Sequence, residues 1–149
     1  MNNSFQFLVD NARAARDTAA LAKETAHGLV RDCQATLNQL TNYRSEYLAN
    51  APTSRSEAVT ADVLAQFHGF VARLEDAIHV QQTELSKRMA FAASASQRLI
   101  AHQKRLLSME ALVARQNAAH RAKAALQEQR ASDEFAARVG FRMTAGDAA

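Results

Sequence analysis

Asn50-Ala51-Pro52-Thr53-Ser54-Arg55-Ser56 is the stretch whose reading decides the fold. It holds the lone proline of the chain among small residues and hydroxyls, and such features cluster nowhere else in the 149 residues. Proline lacks the backbone donor a helix interior requires and pushes the residue before it toward extended geometry, so a helix arriving from upstream stops here. Ser54, with Glu57 three residues later, fits a capping box, whose two side chains satisfy free N–H groups where a new helix starts; Thr60 is the alternative cap. The stretch reads as a turn over 50–57 joining two helices.

Upstream of that turn, alternating steps of three and four pick out Phe5, Leu8, Ala12, Ala15, Ala19, Ala22, Ala26, Leu29, Cys33, Thr36, Leu40, Tyr43 and Tyr47, all apolar or aromatic except Thr36. A spacing averaging 3.5 residues, kept over about six heptads, is a coiled-coil seam and implies a left-handed supercoil. Downstream, the same rhythm runs through Leu64, Phe67, Val71, Leu74, Ile78, Gln81 and Leu85, then Ala92, Ala95, Leu99, His102, Leu106, Met109 and Val113. The predicted fold is all-α: a long antiparallel two-helix coiled-coil hairpin, with helix 1 about 4–49, the turn at 50–57 and helix 2 about 58–138. A turn centred near residue 54 sets Phe5 opposite the neighbourhood of Lys104. The second helix then outruns the first, so the single domain 1–149 is expected to carry a partly unpaired C-terminal arm from about residue 114.

Composition agrees with long uninterrupted helices. Four Gly and one Pro are too few for the many turns of a compact globule, and residues of high helix propensity dominate. The longest apolar stretches, such as Met89 to Ala93, fall far short of the roughly 20 residues that cross a bilayer, so no transmembrane segment is read. The N-terminal Met-Asn-Asn-Ser-Phe-Gln-Phe lacks the basic start and apolar run of a signal peptide, and the expected location is cytoplasmic. Cys33, the single cysteine, lies in an apolar stripe and reads as a small buried side chain. The formal charge of +3 is unevenly spread: residues 98–149 hold nine basic and five acidic side chains, while 1–50 hold five of each and 51–97 four and five. A basic third of this kind suits an acidic partner surface or nucleic acid, or is simply a solvated helix face.

The two ends of the hairpin differ in girth. Alanine fills five consecutive seam positions from Ala12 to Ala26, whereas aromatics crowd near the turn. Burying a Leu or Phe contributes roughly 1.5–3 kcal/mol and alanine much less, so the terminal half is expected to be slender and weakly held and the turn-proximal end firm and adhesive. On helix 2 a stripe of Phe70, Leu74, Ala77 and Gln81 runs beside the seam line Phe67, Val71, Leu74 and Ile78, and two helices cannot cover both. Part of that surface is expected to remain exposed as a protein interface, the competing reading being a wider core or self-association.

Chemistry finds little purchase. None of His27, His68, His79, His102 and His120 stands four residues from another, so no metal site is assigned; His68 and His79 share a face as polar surface. No phosphate-binding glycine loop, nucleophile triad or paired carboxylates occur, and a two-helix rod makes no water-poor pocket, so neither enzyme activity nor a cofactor is expected. Phosphate-binding arms usually carry denser positive charge than residues 98–142, so nucleic acid is not the expected partner.

Several strings, taken in order, resemble one family. Phe5-Gln6-Phe7-Leu8 begins the first helix; Leu40-Thr41-Asn42-Tyr43-Arg44-Ser45-Glu46-Tyr47 ends it; Phe67 to Ile78, followed by Gln81-Gln82, forms the core of the second. Leu112 to Gln116 and Asp133-Glu134-Phe135-Ala136 follow near the end. In order and spacing these resemble the flagellar type III export protein FliJ family over nearly the whole chain. The chain departs from the family pattern at Thr36, where glutamine is usual, at Gln81, where histidine can occur, and in lacking a tryptophan midway along helix 2.

The resemblance implies a stalk-like partner of the hexameric export ATPase FliI that couples it to the export-gate membrane protein FlhA and helps handle export chaperones. It also implies peripheral association with the inner membrane at the flagellar base. Leu40, Tyr43, Tyr47, Phe70, Leu74, Ala77 and Gln81 match the family surface for the gate. The stalk protein of a virulence-type type III secretion system shares the architecture and stays open as an alternative, as does a basic helical nucleic-acid-binding protein.

Overall fold

The structure, a computed structural model, describes residues 2–52 and 60–147, the side chains of residues 2 and 3 excepted. It is an all-α helical hairpin of two helices, α1 (Asn2–Ala49) and α2 (Ala61–Asp147). α1 ends where the sequence places its stop: Asn50 N still donates to Glu46 O, Ala51 N donates to Leu48 O, and Pro52 follows. The proposed capping box of Ser54 and Glu57 lies outside the described residues. Thr60, the alternative cap, has its Oγ1 accepting from Val63 N at 3.3 Å, so one of the free N–H groups of the first turn of α2 is satisfied by a side chain.

α2 runs farther than the predicted end near residue 138 and reaches Asp147. An isolated glycine costs a helix about 1 kcal/mol relative to alanine, too little at Gly140 to stop a helix that Ala136, Ala137, Arg138, Arg142 and Met143 favour on either side. Gly140 keeps helical backbone with no positive φ, and Thr144 Oγ1 donates back to the carbonyls of Gly140 and Phe141.

The chain divides into two compact units. One comprises Ala14–Gln103 and the other Met1–Arg13 with Lys104–Ala149. In the first, the helices pair antiparallel through a seam in which Ala26, Ala92 and Ala95 form a buried cluster with Val30 against it. Cys33, 1% exposed, turns its thiol to the side-chain and main-chain oxygens of Gln81. In the second unit, Val9 and Ala12 are buried against Leu106, with Met109 and Val113 packed on them, and Arg13 reaches Glu110 at 3.6 Å. Lys104, the predicted neighbour of Phe5, is exposed: the α2 residues that pack onto this end of α1 come later, consistent with a second helix that begins at Ala61 rather than near 58. Beyond Val113, every described residue of α2 is exposed.

The α2 seam is the predicted one, since all fourteen residues named for it, from Leu64 to Val113, are buried or half-buried. On α1 only one of the two predicted lines is kept. Ala12, Ala19, Ala26 and Cys33 are buried and Phe5, Leu40 and Tyr47 half-buried, but Leu8, Ala22, Leu29, Thr36 and Tyr43 are exposed and Ala15 is only half-buried. Their place is taken one position later by buried Val9 and Leu37 with half-buried Arg16, Lys23, Val30 and Arg44. Basic side chains have apolar stems, which can lie along the seam while the charge stays in water, so α2 can cover this line despite its charges. Arg88 does the same from α2, bound to Glu84 Oε1 at 3.1 Å and donating to Leu29 O at 3.0 Å.

Candidate functional site

Within the unit Ala14–Gln103, the last two turns of α1 and the first turns of α2 bring Tyr43, Tyr47, Phe67 and Phe70 together. Tyr43 and Tyr47 are four residues apart and share one face of α1; Val63, Phe67 and Phe70 follow one face of α2 from its Thr60 cap. Tyr47 stacks on Phe67, with centroids 4.9 Å apart and planes 9° from parallel, and lies 4.6 Å from Phe70 in a tilted pair. Tyr43 meets the edge of Phe70 at 6.0 Å and the Tyr47 ring at 6.4 Å. Offset and edge-to-face pairs of this kind are worth about 0.5–1.5 kcal/mol each beyond the area they bury, so the four rings act as one cluster.

The cluster opens onto the surface. Tyr43 is 49% exposed and Val63 44%, and both line a groove of about 370 Å³ shared with Glu46, Tyr47, Asn50, Pro52, Gln66 and Phe67. Apolar ring faces beside hydroxyl and amide groups suit the gripping of a protein side chain: the rings supply contact area at little entropic cost, and the polar rim fixes orientation.

Of the seven predicted contact residues, the structure brings Tyr43, Tyr47 and Phe70 into this cluster, while Leu40, Ala77 and Gln81 are half-buried outside it. Leu74 is 7% exposed and sits in the seam, which Phe67, Val71 and Ile78 share with it. Gln81 has its amide oxygen engaged by the Cys33 thiol at 3.4 Å, so it acts first as a seam residue. Sequence reasoning missed Val63 and Pro52 as groove residues, although the spacing of Val63 from the Thr60 cap and from Phe67 carried a signal for the first of them. Among the described residues no group of three His, Cys, Asp or Glu side chains is placed to hold a metal ion, and no helix is long and apolar enough to cross a membrane.

Compared with known families, the chain matches the family model described as Flagellar FliJ protein over residues 1–144. A search of curated proteins gives no match.

Proposed function

The chain belongs to the flagellar FliJ family, whose members are non-enzymatic components of the flagellar export apparatus, and from that premise we propose that it is the stalk-like partner of the export ATPase ring. In this role it couples the FliI hexamer to the export gate FlhA and helps handle export chaperones, held peripherally at the inner membrane of the flagellar base through the gate. The observation that carries the reading is the pairing of two opposite surfaces within Ala14–Gln103: a seam closed by Ala26, Ala92 and Ala95, and an aromatic groove led by half-exposed Tyr43. Alanine lets two backbones approach closely, which suits entry into a narrow ring, whereas the aromatic groove offers a gate something to hold. Tyr43, Tyr47 and Phe70 make the gate contact, flanked by Leu40, Ala77 and Gln81, with Leu74 supporting them from the seam.

The matched family is the flagellar one, which leaves the virulence-type alternative without an observation of its own. The test uses purified components: saturating full-length chain is expected to raise both hexamer assembly and ATP hydrolysis by FliI, and immobilised chain to retain FlhA. Unchanged assembly and hydrolysis at saturation would remove the stalk role, whatever the result with the gate.

A further inference from the structure

α1 offers more apolar surface than the seam of the unit Ala14–Gln103 takes up. Ala19, Ala26, Cys33, Leu40 and Tyr47 form one line along it, buried or half-buried at every position. Two further lines flank this one at seven-residue steps: Ala15, Ala22, Leu29, Thr36 and Tyr43 on one side, Arg16, Lys23, Val30, Leu37 and Arg44 on the other. A helix meets a single partner through two adjacent lines, so α2 covers one flank and leaves the other. Leu37 is 9% exposed, and Arg16, Lys23, Val30 and Arg44 are half-buried; on the opposite flank Leu29 is 41% and Tyr43 49% exposed, Ala22 and Thr36 are exposed too, and Ala15 is half-buried.

The two flanks have comparable claims on α2. The covered one brings Val30 and Leu37 together with three basic stems, whose ordering costs rotamer freedom; the uncovered one brings Leu29, the Tyr43 ring and two alanines, with no charge. Seven positions share the circumference of a helix in heptad register, so neighbouring lines stand about 50° apart, and turning α1 about its axis by that angle exchanges the flanks. The shared line faces α2 throughout.

Bonds between the helices divide in the same way. Cys33 is on the shared line, so its bond to Gln81 resists the turn least, and Arg88 reaches a main-chain acceptor, Leu29 O, with a long side chain that can follow it. His27, beyond the covered flank, meets Ser96 Oγ at 3.3 Å, and this contact the turn pulls apart. We propose that α1 has two rotational settings on α2, the one described and one turned by about 50°, and that the second draws Tyr43 out of the aromatic groove and into the seam. The groove then loses the most exposed of its four rings, so whatever binds there selects the first setting. Both settings belong to the free chain, and their existence does not depend on the proposed gate contact.

Tyr43 and Tyr47 are the only tyrosines of the chain, so full-length protein labelled with 3-fluorotyrosine reports on them directly by fluorine NMR, and Tyr43→Phe assigns the signals. The shift of a signal between H2O and D2O measures how far its ring faces solvent. Ala22→Leu with Thr36→Leu enriches the uncovered flank at exposed positions, where leucine favours helix, and is expected to raise the share of the turned setting about tenfold. Tyr43 then becomes shielded from solvent while the helical signal in circular dichroism is kept; Ala22→Leu alone is read in the same way should the pair lose helicity. Adding Arg16→Leu and Lys23→Leu to the same chain enriches the other flank and is expected to return Tyr43 to solvent. Unchanged exposure of Tyr43 in the first variant overturns the proposal. So does shielding that the second pair fails to reverse, the result that self-association through the new leucines gives.

Discussion

The aromatic end and the alanine seam of the unit Ala14–Gln103 solve the same packing problem in opposite ways. At the alanine seam burial is nearly complete, with Ala26 at 1% exposure and Ala92 and Ala95 at 3%, yet each methyl removes little apolar area from water. At the aromatic end Tyr47, Phe67 and Phe70 are only half-buried and Tyr43 is exposed, yet the rings are large and pair at 4.6–6.4 Å. Completeness of burial and adhesiveness are thus separated along one hairpin: the tightly closed part has little to offer a partner, and the part with most to offer is never closed.

The comparison breaks most sharply at Leu74. If the aromatic end draws its order from the seam beneath it, Leu74→Ala removes a side chain that is 7% exposed and costs about 2–3 kcal/mol, the low end of the range for buried leucines because the site lies near solvent and can collapse. Thermal unfolding followed by circular dichroism measures it. A loss of gate binding with no change in the unfolding midpoint would place Leu74 on the surface and reverse the assignment. The alanine seam is tested from the opposite side. Ala26→Leu forces extra carbon between closely packed backbones and is expected to destabilise by about 1–3 kcal/mol, although leucine is a fine helix former. A stabilised variant would show that the seam is loose rather than closed.

Sequence pattern made most of this visible, and its failures have a common cause. The α2 seam was legible at every named position because the three-four rhythm stays in register there from Leu64 to Val113, even where Gln81, Ala92, Ala95 and His102 stand in it. On α1 two apolar lines run side by side, and periodicity says that each can be buried without saying which one a single partner helix covers. Leu8 and Leu29 read as core and are exposed, while Arg16, Lys23 and Arg44, which the apolar rhythm passes over, are half-buried, because a residue's charge hides its alkyl stem. The same ambiguity affected the candidate site. Spacing put Phe70 on a second stripe and the family resemblance added Tyr43 and Tyr47, but Leu74 belongs to both stripes of α2 and its burial depends on how α1 is rotated, which no local pattern encodes. Phe67, which the rhythm puts in the seam and its place near the turn puts at the adhesive end, does line the aromatic groove.

The finest division between the two regions runs through Tyr43. It touches Phe70 and Tyr47 at distances that contribute to the cluster, yet half of it faces water, so truncation exposes little that was dry. Tyr43→Ala is therefore expected to cost less than about 1 kcal/mol of stability, roughly the worth of one aromatic pair, and to leave the helical signal intact. Binding to the gate should respond far more, because a partner that seats on the groove completes the burial that α1 and α2 leave unfinished: a loss on the order of tenfold or greater is expected from titration with purified FlhA. The ratio of the two effects is what matters. A residue whose removal harms folding and binding equally is core, whereas one whose removal harms binding alone is held ready for a surface the chain does not itself possess, and only the second outcome would support a docking role for Tyr43.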